Sequence, residues 1–212
     1  MTTTRRSVTA TAVLAATLAA AGGLAPVTSA PGPQIGAPAP AFSALDTSGR
    51  TVSLADLKGK TVVLEWTNDE CPFVRKHYVG QGMQALQKKW TGRDVVWLTV
   101  ISSPPGEQGY ADASKADRLT VDRGAAPSAV LLDPAGDLGR TYRAQVTPHM
   151  YVIGSDGTLA YMGGIDDKPS TRVEDLKGAK NFVDAALTEL SSGKPVSQTT
   201  ARPYGCTVKF TS

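Results

Sequence analysis

The chain has 212 residues with 22 basic and 19 acidic side chains, a formal net charge of +3 at pH 7. Residues 1–30 hold two of the arginines and no acid, so the remainder stands at +1 (20 basic against 19 acidic), which gives no support to binding of nucleic acid or of an acidic membrane surface. The two cysteines, Cys71 and Cys206, are too few for a scaffold built on disulfides, so the 182 residues after position 30 must fold as one domain on an ordinary core.

Residues 1–30 have the pattern of an export signal. Arg5-Arg6 precede an alanine-rich apolar run over 8–24, and Thr28-Ser29-Ala30 supply small residues at a cleavage point before Pro31. Thr4-Arg5-Arg6-Ser7 resembles a twin-arginine signal, an alternative to the general export route. Thr9, Thr11, Thr17 and Gly22-Gly23 interrupt the run and argue against a permanent span. The mature protein is therefore expected in the periplasm or outside the cell, touching membrane only through its signal. Residues 31–41, with four prolines, read as an extended lead-in, 42–192 as the folded domain and 193–212 as a tail carrying Cys206.

Residues 42–45 and 51–54 flank Asp46-Thr47-Ser48-Gly49 and predict a hairpin. The nearly unbroken apolar run over 61–66 predicts a central strand covered on both faces. Val79, Met83, Leu86 and Trp90 recur at helical steps and predict one helix running on from Pro72, bent at Gly80 and Gly82. A second buried strand is expected over 94–101, a helix over 110–119, a short strand over 129–132 and one or two helical turns over 136–143. Gly154-Ser155-Asp156-Gly157 joins strands at 150–153 and 158–162, and Phe182, Val183, Ala186, Leu187 and Leu190 stripe a closing helix. Alternation of this kind means an α/β fold with a mixed sheet.

Between the central strand and the first helix lies Asn68-Asp69-Glu70-Cys71-Pro72. Proline is favoured at the first helical position, which puts Cys71 at the N-cap. A thiolate there feels the positive end of the helix dipole and unpaired N–H groups, which lower a cysteine pKa. The polar neighbours Asn68, Asp69 and Glu70 predict a solvent-facing turn. Glu65, in an otherwise apolar strand, is expected to have a raised pKa, fit to carry a proton to or from a thiol; the other reading is a partly exposed acid in an ion pair.

Three features in order resemble the thioredoxin-like fold in its redoxin branch, the alkyl hydroperoxide reductase and thiol-specific antioxidant (peroxiredoxin-like) proteins. They are Cys71 between strand and helix, Glu65 six residues before it, and Thr147-Pro148 before the strand at 150–153. The resemblance covers about 35–190. It implies a central mixed β-sheet flanked by helices, with the N-terminal hairpin and an irregular C-terminal tail as additions. It also implies a cis bond at Pro148 facing Cys71, the backbone of Thr147 free to pair with a substrate, and a substrate surface that includes Pro72 and Trp66. Val74 stands where thioredoxins have the second cysteine of Cys-x-x-Cys, and Asn68 where peroxiredoxins have threonine or serine.

The resulting expectation is an exported thiol-dependent oxidoreductase with Cys71 as nucleophile, Cys206 as resolving thiol and Glu65 as proton relay. Its substrate is a protein disulfide or a peroxide, and its reductant an external dithiol. No organic cofactor is implied, since no glycine-rich phosphate loop occurs. One rival is a binding module with a structural Cys71–Cys206 bridge. Such a bridge would enclose 134 residues (206 − 71 − 1) and contribute roughly 4 to 5 kcal/mol in the chain-entropy model. Another is a copper or zinc carrier using Cys71, Cys206 and His149. Asp166-Asp167 reads as a solvated acidic pair.

Overall fold

A computed structural model describes residues 1–3 and 32–210. All but the first three residues of the expected export signal lie outside that set, as does Pro31.

In chain order the strands are β1 (Ser43–Asp46), β2 (Thr51–Ser53), β3 (Val62–Trp66), β4 (Val96–Ile101), β5 (Ala129–Leu132), β6 (Val146–Thr147), β7 (His149–Ile153), β8 (Leu159–Gly163) and β9 (Cys206–Thr207). The helices are α1 (Pro72–Val79), α2 (Gly82–Thr91), α3 (Ala113–Asp122), α4 (Asp137–Thr141) and α5 (Phe182–Ser191), with 3-10 turns at Leu54–Leu57 and Val173–Leu176. Seven strands form one mixed sheet in the order β2-β1-β5-β4-β3-β7-β8. Strands β3, β4 and β5 run parallel, while β7 pairs antiparallel with β3 and with β8. This is the mixed, helix-flanked sheet of the thioredoxin-like fold.

Every residue of β3 is buried, as its unbroken apolar run requires. Side chains alternate across the sheet. Val63 therefore joins Val74, Met83, Trp90, Trp97, Met150, Val152, Val183 and Leu187 in a core under α1, α2 and α5. Val62, Leu64 and Trp66 pack on the opposite face with Leu98, Leu131, Tyr142, Tyr151 and Leu159.

The hairpin forms where expected, and Asp46 closes its turn by accepting hydrogen bonds from the Ser48 and Arg50 backbones, both at 2.9 Å. The single bent helix from Pro72 is instead two helices. Gly80 ends α1, and Gln81 takes a left-handed φ of 60° before α2 starts. That break resets the helical phase, so Val79 is 65% exposed while Met83, Leu86 and Trp90 are buried. Helix α3 starts three residues later than expected because Asp112 caps it, accepting from the Lys115 N–H at 2.7 Å. The lead-in also differs from a free extended arm. Gly36 and Ala39 donate backbone bonds to Leu159 and Gly157, and Leu159 donates back to Ala37.

The tail departs most from expectation. The Met162 N–H donates to Thr199 at 3.0 Å, so the tail first lies along β8, at the margin of the sheet. It then crosses to β6, where β9 pairs antiparallel with Thr147 opposite Cys206. A carbonyl-lined strand edge left bare is a template for other chains, and the tail covers this one.

Candidate active site

Three elements converge on Cys71. The loop after β3 is pinned by Asn68, whose side-chain oxygen accepts from the Glu70 N–H at 2.9 Å and whose carbonyl accepts from the Cys71 N–H at 3.2 Å. Pro72 then opens α1, leaving Cys71 at the N-cap in an extended conformation (φ −76°, ψ 120°). From the other side the peptide bond between Thr147 and Pro148 is cis, and the Thr147 carbonyl oxygen accepts from the Cys71 thiol at 3.1 Å. The third element is β9. Cys206 is the register partner of Thr147, and the two cysteines, both free thiols, are close enough to shift each other's ionisation.

Gly205 makes that approach possible. Its φ of 142° lies in the region other residues avoid, and a Cβ there would stand 1.8 Å from the Thr147 carbonyl oxygen. The tail backbone rests directly on the cis-proline loop.

The electrostatics of the pair are asymmetric. Burial works to raise the pKa of Cys71. Hydrogen bonds from the Cys206 thiol, from Thr147 and from the Val74 and Cys206 backbones outweigh it, and the Cys71 thiol is lowered from its ordinary value. Burial pushes Cys206 up, and its hydrogen bond and proximity to the Cys71 charge push further, to about 12. When the pair gives up a proton it therefore leaves from Cys71, while Cys206 keeps its own.

Cys71 is not solvent-facing: it is 0% exposed. Asn68 is buried as well, and Tyr204 and Cys206 of the tail pack on the core cluster that contains Cys71. The polar residues before Cys71 do turn outward at Glu70, but the far end of the chain closes over the sulfur. For the same reason the backbone of Thr147 is not free, since β9 occupies it.

Glu65 is fully buried, and burial raises its pKa against hydrogen bonds from Trp97, Tyr78 and Gln87. Its carboxyl accepts from Tyr78 Oη at 2.8 Å, Trp97 Nε1 at 2.8 Å, Gln87 Nε2 at 3.0 Å and Thr99 Oγ1 at 3.3 Å. None of these bonds reaches either cysteine. In the structure the carboxyl is a hub tying β3 to α1, α2 and β4.

Trp66 is also displaced from its expected role. The alternation that points Val63 and Glu65 toward α1 points Trp66 to the other face, fully buried, with its indole N–H donated to Ser102 Oγ at 2.9 Å. It offers no surface to a substrate. Pro72 is exposed at the lip of the site, and Thr147 and Pro148 are buried beneath the tail. Val74, in the place of a second motif cysteine, is buried core.

His149 lies on β7 facing the Trp66 side, where its Nδ1 meets the Gln145 N–H at 3.3 Å and the Tyr151 hydroxyl at 3.2 Å. It does not join the cysteines. Among the described residues no group of three or more His, Cys, Asp or Glu side chains is placed to hold a metal ion.

One cluster escaped the sequence reading. Asp166 is not solvated but 3% exposed, and with Lys76, His77 and Tyr204 it forms a buried polar group beside the tail. The available signal was Lys76-His77, two polar residues on the inner stretch of an amphipathic helix. A groove of about 710 Å³ runs past this cluster, lined by Val146, Phe182, Pro203, Tyr204 and Gly205 among others.

A central parallel strand ending in an N-cap cysteine, faced by a cis-proline loop, defines a redoxin of the thioredoxin-fold superfamily. The sequence profile of the AhpC/TSA family matches residues 35–162, and the chain belongs to that family. Among solved structures, an uncharacterized conserved protein from Geobacillus kaustophilus is similar at 24% identity with a TM-score of 0.70, over 84% of this chain and 93% of that one. A hypothetical protein from Sinorhizobium meliloti 1021 is similar at 20% identity and the same TM-score of 0.70, over 84% of this chain and 96% of its own. Both share the fold. No curated protein matches the chain.

Proposed function

We propose that the protein is an exported thiol–disulfide oxidoreductase whose redox couple is Cys71 and Cys206. The single observation that carries this reading is that Thr147 places both free thiols: its carbonyl accepts from Cys71 at 3.1 Å and Cys206 is its register partner. In this reading residues 1–30 are the signal, 42–192 the redoxin domain and 193–212 its resolving arm, with Pro72, Thr147 and Pro148 at the substrate surface.

With the tail lifted, the Cys71 thiolate attacks one sulfur of a substrate disulfide. That S–S bond breaks, a Cys71–substrate bond forms, and the other substrate sulfur leaves as a thiolate. Cys206 then gives up its proton and attacks Cys71, so that the second substrate sulfur departs. The substrate gains two electrons and the pair becomes a disulfide, which an external dithiol restores. A high pKa on Cys206 suits this order, because that thiol stays protonated until the mixed disulfide removes the neighbouring charge.

Disulfide exchange is favoured over peroxide reduction because Asn68, buried against Gln108 and Gly109, replaces the hydroxyl expected three residues before a peroxidatic cysteine. The test is oxidation of the reduced protein by glutathione disulfide. Wild type should end as an intramolecular disulfide, and Cys206→Ser should stop as a mixed disulfide at Cys71. Attachment at Cys206 in Cys71→Ser, with none at Cys71 in Cys206→Ser, would overturn the assignment. A Cys71–Cys206 reduction potential below about −300 mV would instead make the bridge structural.

A further inference from the structure

The tail is held over Cys71 by groups that the thiol exchange does not itself use. The Tyr204 hydroxyl donates to Asp166 Oδ1, accepts from the Lys76 ammonium at 3.1 Å and meets His77 Nε2 at 3.2 Å. Lys76 also donates to the Lys168 carbonyl at 2.6 Å, and its Nζ stands 3.8 Å from Asp166 Oδ2. The Tyr204 ring packs edge-on against Phe73 with centroids 5.9 Å apart and lies under the Lys76 ammonium at 5.0 Å.

Lys76 is 1% exposed and Asp166 3%. Burying such charges is costly unless each is paired and hydrogen-bonded. Here the phenol is the one group that touches the lysine, the histidine and the acid together, so lifting the tail withdraws a partner from all three at once. That favours a tail either fully seated or off, with little between.

The spacing also fits. Five steps along the chain lead from Cys71 through α1 to Lys76, a rise of about 7.5 Å at helical pitch. The two steps from Cys206 back to Tyr204 in extended chain cover about 7 Å. Helix and tail are therefore two rails of matched length, with the free sulfurs at one end and the phenol bonded across at the other.

We propose that Tyr204 is the positioning residue of the thiol pair: by completing the Lys76–His77–Asp166 cluster, its hydroxyl sets where the tail lies along α1 and so how fully Cys206 covers Cys71. The consequence for turnover rests on the redox reading above; the seating of the tail does not.

The experiment uses the full chain as wild type, Tyr204→Phe and Gly205→Ala, the last expected to force the strand off Thr147 without touching the buried cluster. Two quantities are read: the alkylation rate of Cys71 by iodoacetamide across pH, taken at its alkaline plateau, and the equilibrium constant of the Cys71–Cys206 disulfide against glutathione. Loss of a hydrogen bond to charged groups corresponds to roughly a tenfold to hundredfold change in an equilibrium. Tyr204→Phe should raise the plateau rate and lower the equilibrium constant by about that factor, and Gly205→Ala should move both the same way. Should Tyr204→Phe fail to fold, Asp166→Asn takes its place with the same expectation. The proposal is overturned if the phenol or Asp166 variant loses thermal stability yet keeps both values at wild type, or if Gly205→Ala uncovers Cys71 and Tyr204→Phe does not. Failure of Cys206→Ser to trap any substrate at Cys71 would sink the redox reading alone, since alkylation reports tail seating independently.

Discussion

The carbonyl oxygen of Thr147 lies 3.1 Å from the sulfur of Cys71, and the backbone of the same residue is the register partner of Cys206. One residue of the cis-proline loop therefore fixes both thiols. Their chemistry can be probed by changing one sulfur and reading the other.

Cys206→Ala removes a donor that favours the Cys71 thiolate, while the opposing effect of burial is only partly relieved. The midpoint of Cys71 ionisation should move up, so a smaller fraction of it is thiolate at neutral pH. Ultraviolet thiolate absorbance against pH checks this. An unchanged or lower midpoint would show that the charge on Cys71 does not depend on its neighbour.

Val74 sits three residues past Cys71, on the first turn of α1. Residues three apart on a helix have Cβ atoms about 5 to 6 Å apart, so a disulfide, which wants about 3.5 to 4.5 Å, needs only a slight tightening of that first turn. Val74→Cys in a Cys206→Ser background should restore an intramolecular disulfide, seen as a two-hydrogen mass loss on oxidation. Persistence of the mixed disulfide at Cys71 would mean that the tail position cannot be replaced by the helix position.

Burial lowers His149 from 6.5 to about 4. The unfolded chain then binds more protons than the folded one between those values, so stability is lost as pH falls through that window. The loss is about 3 kcal/mol at most for such a shift. Urea unfolding at several pH values should show the slope, and His149→Gln should reduce it, leaving the part contributed by His77, which burial also lowers to about 4. An equal slope in the variant would assign the acid sensitivity elsewhere.

Glu65 behaves in the opposite sense. Its pKa is raised above 4.5, so the folded state keeps a proton that the unfolded state has lost, and stability falls as pH rises from 4.5 through the folded value. Glu65→Gln, which disturbs the Trp97 and Gln87 bonds, should cost about 1 to 3 kcal/mol near the acid end of that window. The gap from wild type should narrow as pH rises. A gap that widens with pH would mean that Glu65 is ionised and stabilising in the fold.

Much of the fold was legible because it rests on local pattern. The buried run of β3, Pro72 after Cys71 and the turn at Gly154 to Gly157 each declare an element by composition alone. The register of Thr147 with Cys206 could not be read that way, since it joins segments far apart in the chain through backbone bonds that any residues could make. The exposure of Cys71 was misjudged for the same reason: its immediate neighbours are polar, and its cover comes from residues 201–208. Trp66 and Glu65 were placed on the correct strand, but their roles depend on which face each takes and what waits there. Asp166 looks like a loop acid until Lys76, His77 and Tyr204 are brought around it from three other parts of the chain.

The tail segment that delivers Cys206 is fastened on both sides of it. Upstream, Met162 and Ala201 exchange a backbone bond at 3.4 Å along β8; downstream, the Val208 N–H donates to Gln145 at 3.0 Å and Phe210 lies over the Arg140 guanidinium at 5.6 Å. A complete release would bare the sheet margin to neighbouring chains, so the economical motion is a buckle of the stretch between Ala201 and Val208. Such a buckle would uncover Cys71 while both fastenings stay in place and the sheet margin stays covered.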